Sequence, residues 1–172
     1  MKYLKYYIST VTLTIAFHVC FLGEYYPTIF FFCFSLFIIL GDLVVKEDSA
    51  EQQYSKLYLL NLPMYLNFPL LTTILLISAF MLGDNPQNAF TNIVSTYLNK
   101  DLLDIRNSLN IFDSIFLVAQ MGLFIGIMGT VPGHELVHRK KSKFDMFMGN
   151  WLLALSWDLS LIHISEPTRL TS

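Results

Sequence analysis

The chain has 172 residues, 54% of them hydrophobic, 15% aromatic and only 14% charged, with a mean hydropathy of +0.52. A water-soluble domain of this size carries about 25% charged residues, so the composition excludes a disordered or highly solvated chain and points to lipid as the solvent. Eleven Lys and Arg against 13 Asp and Glu leave a net charge of -2, and no basic stripe is interleaved with aromatics, so nucleic acid is not an expected partner.

Crossing ~30 Å of hydrocarbon takes about 20 mostly apolar residues in a helix. Four such stretches are predicted, over residues 6–23, 25–41, 57–83 and 114–133. The first follows Lys2 and Lys5 like a signal peptide, but no small-x-small cleavage site follows Phe17-His18-Val19-Cys20, so an uncleaved helix is expected. His18 then falls mid-span, where a packed, neutral role is expected. Cys20 and Cys33 lie inside apolar runs and read as small apolar residues. Gly23-Glu24-Tyr25-Tyr26-Pro27 supplies a tight helical hairpin. The third span carries Pro63 and Pro69, which predict a kink that neighbouring helices can accommodate.

After the turn-like Asp84-Asn85-Pro86, the apolar residues Phe90, Ile93, Val94, Tyr97, Leu98, Leu102, Ile105 and Leu109 recur at helical spacing. They predict an amphipathic helix, either lying along the membrane surface or packed on the other helices. Gly122, Gly126 and Gly129 on the fourth span suggest close helix packing, and Pro132-Gly133 marks its end. A fifth apolar run begins at Met146 or Phe147 and is cut short at Asp158. The expected fold is all-α, a polytopic membrane helix bundle with four spans and a truncated fifth, in one domain over residues 1–158.

Orientation follows from basic residues in alternate loops. With a cytoplasmic N-terminus, eight lie inside (Lys2, Lys5, Lys46, Lys56, Arg139, Lys140, Lys141 and Lys143) and two outside (Lys100 and Arg106). The cluster at 139–143 reads as a topology anchor, or as a docking patch for an acidic partner.

One constellation carries chemistry. His134 and His138 are four residues apart, so on a helix they are rotated by only about 40° and rise by ~6 Å, and both imidazoles can reach one metal ion. Imidazole serves zinc, iron, copper and nickel alike. His-Glu-x-x-His also matches a zinc protease, with Glu135 as the general base. Alternatively the two histidines are merely polar caps on a membrane helix.

Gly129-Thr130-Val131-Pro132-Gly133-His134-Glu135-Leu136-Val137-His138-Arg139-Lys140 resembles the first histidine box of the integral-membrane di-iron alkane monooxygenases, relatives of the fatty acid desaturases. That box reads His-Glu-Leu-x-His-Lys in the family; Arg139 here keeps the charge. Lys143-Phe144-Asp145 and the run from Gly149-Asn150-Trp151 to Trp157-Asp158 resemble the segment between the family's first and second boxes. Asn61-Leu62-Pro63-Met64-Tyr65 resembles the start of its third helix, so the likeness extends over about residues 41–158.

The resemblance implies two non-haem iron ions held in part by His134 and His138, a packing or supporting role for Glu135, and no catalytic residue beyond the ligands. It implies terminal hydroxylation of an alkane or fatty acyl chain with dioxygen, electrons from a rubredoxin-type donor, and a place in a bacterial inner membrane with the histidines cytoplasmic. A desaturase relative is a further reading. The family's later Glu-His-x-x-Gly-His-His box and two further histidine motifs are absent from the sequence, so the chain reads as an N-terminal fragment, itself expected to be inactive. Residues 159–172 resemble translated sequencing-adapter read-through and are expected to be non-native, which leaves His163 without a role.

Overall fold

A computed structural model describes residues 3–44, 56–83, 89–139 and 142–156. Every regular element among them is helical: α1 Ile8–Cys20, α2 Tyr26–Val44, α3 Leu57–Leu82, α4 Ala89–Leu98, α5 Leu102–Ser108, α6 Ile111–Phe124, α7 Val131–Val137 and α8 Lys143–Leu155. A 3-10 turn, Leu4–Tyr7, leads into α1, and a π-helical turn, Ile125–Thr130, joins α6 to α7.

The protein is an all-α membrane helix bundle. Among the described residues, three helices are long and apolar enough to cross a bilayer: Tyr26–Val44, Leu57–Leu82 and the continuous Ile111–Val137. The expected first span is shorter. Its α-helix has 13 residues, roughly 20 Å at 1.5 Å per residue and short of a hydrocarbon core. The fourth span does not stop at Pro132-Gly133 but runs on past His134 to Val137, with His138 as its C-cap. Proline is tolerated there because it sits in the first turn of α7, directly after the π turn. The fifth helix begins at Lys143, earlier than its apolar run, because the Ser142 side chain caps it by accepting from the Asp145 N–H.

α3 is the central element, touching α1, α5, α6, the π turn and α8. Its two prolines lie inside an unbroken helix. Leu13, Ala16 and Cys20 form the buried stripe of α1, at the i, i+3, i+7 spacing of one helix face. Leu71, Ile74 and Ile77 of α3 and Leu117 and Phe124 of α6 complete the main core. α2 leans on α6 through aromatic contacts, with the Phe34 and Phe124 rings 5.3 Å apart edge to face. Asp113, only 2% exposed, accepts from the Thr28 hydroxyl of α2 and from the Asn110 N–H at 3.1 Å. That carboxylate thereby caps α6 and ties it to α2.

The segment expected to be one amphipathic helix is two. Asn99, with φ +51°, breaks it, and Asp101 caps the second piece by accepting from the Leu103 N–H. Val94, Leu102, Ile105 and Leu109 pack on the bundle, while Ile93 and Tyr97 remain exposed. α5 also closes the α1–α2 hairpin: Gly23 has φ +67°, a Cβ there would lie 2.6 Å from the Ser108 hydroxyl, and that hydroxyl accepts from the Glu24 N–H.

Of the expected close-packing glycines, only Gly129 meets a neighbour, Leu71; Gly122 and Gly126 face open space. Cys20 and Cys33 are both free thiols. His18 is not packed mid-span. It lies in the last turn of α1, off the buried Leu13, Ala16 and Cys20 stripe, and is exposed. Lys2, Lys46, Lys140, Lys141, Asp158, His163, the 84–86 turn and the 159–172 tail lie outside the described residues, as do the side chains of Phe90 and Leu98.

Candidate metal-binding turn

The chain reaches the histidines through the π turn. Thr130 donates its hydroxyl to the Ile125 carbonyl, five residues back, and single π turns of this kind often mark functional segments of helices. Pro132 has no N–H for the carbonyl four residues earlier, that of Met128. The Asn67 side chain of α3 supplies the donor instead, at 3.2 Å. Asn67 also holds α1, through Ser9 and through the Thr10 hydroxyl at 3.2 Å.

His134 lies within α7 and is half-buried. His138 is the residue that ends the helix, still right-handed helical at φ -67° and ψ -14°, and its N–H donates to the His134 carbonyl. The helical repeat therefore persists through both histidines and sets them one turn apart on one face, as the spacing predicts. The exposed His138 side chain lies at the polar end of the long apolar helix.

Glu135 is turned to other partners. Its Oε1 accepts from Arg139 Nη2 at 3.0 Å and Nε at 3.3 Å. Arg139 also donates from Nη1 to Asn61 Oδ1 at 2.6 Å and lies 3.8 Å from Asp145 Oδ2. Asp145 in turn accepts from the Tyr65 hydroxyl at 2.5 Å. One guanidinium thus joins α3, α7 and α8 just beyond the histidines, a use for Arg139 that neither topology anchoring nor partner docking anticipates. Asn61, Tyr65 and Asp145 were legible only as parts of the family likeness, because what unites them is contacts between residues 78 and 80 positions apart, invisible to local pattern.

The histidine turn is braced by glycine. A Cβ on Gly133 would lie 2.9 Å from Leu153 Cγ, and one on Gly149 would lie 2.8 Å from the Gly133 carbonyl and 2.7 Å from Val137 Cγ2. α7 and α8 therefore pack nearly backbone to backbone. Leu136, Met148 and Leu152 fill the space below, against Met64, Tyr65 and Phe68. On the opposite side, a cavity of about 300 Å³ lies between α1, α3 and the π turn, lined by Ser9, Met64, Asn67, Ile127, Pro132 and Glu135 among others.

Two imidazoles one turn apart fit a two-point attachment for a single ion. A catalytic iron pair needs more donors, and among the described residues no group of three or more His, Cys, Asp or Glu is placed to hold a metal. The described residues fit part of such a centre and not the whole of it. Comparison with known protein families, with curated proteins and with solved structures found no match.

Proposed function

We propose that this chain forms part of the membrane domain of a non-haem di-iron oxygenase that hydroxylates the terminal carbon of an alkane or fatty acyl chain. His134 and His138 are two of its iron ligands, and a rubredoxin-type protein is its electron donor. The observation that carries this reading is the pair of imidazoles one turn apart at the end of an apolar helix of 27 residues. Metal-binding donors there meet a substrate dissolved in the bilayer from one side and a water-soluble partner from the other. The bound irons would supply dioxygen activation. The chain's own residues hold the ligand turn: Gly133 and Gly149 fix its distance from α8, and Arg139 fixes its register against α3. Nitrogen ligands suit an oxidising centre, where thiolates would themselves be oxidised.

A zinc protease is the second reading, since Glu135 matches its general base. The double engagement of Glu135 Oε1 by Arg139 favours the oxygenase, in which that carboxylate is a brace. The test is iron content and hydroxylation of a long-chain alkane by the full-length gene product. Replacing either histidine by alanine removes iron and activity; Glu135→Gln keeps the iron and much of the activity. Zinc in place of iron, with peptide hydrolysis abolished by Glu135→Gln, would transfer the assignment to the protease.

A further inference from the structure

The end of the bundle away from the histidines carries a different site. Thr14, Ile15, Phe17, His18, Val19, Phe21 and Leu22 of α1 and its following turn, with Lys100 across from them, line a groove of about 510 Å³. Ile15 also lines a second groove, of about 500 Å³, that follows α1 toward Leu4 between Val11 and Ile8 on one side and Phe30, Phe34 and Phe37 of α2 on the other. The two share Ile15 and follow one another along α1 as a trough, with His18 and Lys100 at one end and apolar side chains beyond. From Ile15 to Leu4 it spans roughly 17 Å, close to half of a ~30 Å hydrocarbon core. That is the depth one acyl chain occupies in a single leaflet.

The polar end is specific in its chemistry. Lys100 Nζ is held in place by donating to the Phe21 carbonyl at 2.9 Å, which sets a cation at the mouth of the groove. His18 Nδ1 lies 2.7 Å from the Thr14 carbonyl. A carbonyl can only accept, so that nitrogen carries the proton, and Nε2 is the ring nitrogen left to meet a ligand. A cation beside an exposed imidazole nitrogen matches a phosphate beside a hydroxyl.

We propose that this trough binds an anionic phospholipid with a hydroxylated headgroup, of the phosphatidylglycerol type. The phosphate pairs with Lys100, a headgroup hydroxyl donates to His18, and one acyl chain lies along α1 past Ile15. This site is independent of the oxygenase reading.

Native mass spectrometry of the delipidated full-length protein, titrated with phosphatidylglycerol, phosphatidic acid and phosphatidylcholine of equal chain length, tests it. The wild type retains phosphatidylglycerol above phosphatidic acid, and both above phosphatidylcholine. Lys100→Gln keeps a donor for the Phe21 carbonyl but removes the charge, and lowers retention of both anionic lipids about fivefold. His18→Phe lowers phosphatidylglycerol to the level of phosphatidic acid. Ile15→Trp fills the trough where the two grooves meet and reduces all three lipids. Equal retention of the three lipids by the wild type, or an unchanged preference in Lys100→Gln, overturns the proposal. Displacement of the lipid by a long-chain alkane without a headgroup also overturns it, because the trough would then be a hydrocarbon site.

Discussion

Asn67 on α3 gives its side-chain amide to the Met128 carbonyl, the group that Pro132 cannot serve. A helix interrupted by proline in lipid must find its missing donor on a neighbour, since no water is present to supply one. The same Asn67 meets Ser9 and Thr10 of α1, so one amide links the short first helix to the segment that leads into the histidines.

Asn67→Leu should therefore destabilise the bundle by about 1–2 kcal/mol, the range for losing a buried or interhelical hydrogen bond. A thermal melt in detergent reads this as a Tm lower by several degrees. An unchanged Tm would mean that the Met128 carbonyl does not depend on α3.

The glycines divide sharply. Gly149→Ala places a methyl group against backbone atoms of α7 at 2.8 Å and should lower Tm. Gly122→Ala and Gly126→Ala meet open space and should be neutral or stabilising by up to about 1 kcal/mol through helix propensity. Parallel melts of the three variants decide this; equal losses in all three would refute the close α7–α8 contact.

Arg139→Gln removes the shared partner of Glu135, Asn61 and Asp145. Because Asp145 is 7% exposed, its carboxylate is left short of compensation, and a loss of about 1–3 kcal/mol is expected. The added double variant Arg139→Gln with Asp145→Asn should recover part of it. A variant that melts like the wild type but loses salt-dependent electron transfer would instead make Arg139 a docking residue.

Gln120 is wholly buried in α6, and neither of its amide atoms has a hydrogen-bond partner among the described residues. Gln120→Leu should raise Tm, since it removes an uncompensated polar group from an apolar interior. A lower Tm would reveal that the amide is satisfied from elsewhere.

Much of the bundle was legible because lipid imposes a one-dimensional rule: uncharged stretches long enough to span become helices, and residues 25–41, 57–83 and the fourth span obey it. The misjudged boundaries share a cause. Helix ends depend on single polar groups such as Ser142 and Asn99, and on partners distant in sequence, such as the Asn67 that lets a helix continue through Pro132. The one-turn spacing of His134 and His138 was legible because it is local and periodic. The Arg139 network escaped because its members come from three helices, and the Lys100–Phe21 contact escaped because a backbone carbonyl leaves no mark on composition.

The contact between Gly133 and Gly149 has a mechanical side. Where two backbones touch without intervening side chains, there is no rotamer to yield, so a displacement of α8 passes to the neighbouring His134 almost undiminished. The histidine turn and α8 behave as one stiff lever, and small shifts of α8 become shifts in where the imidazoles sit.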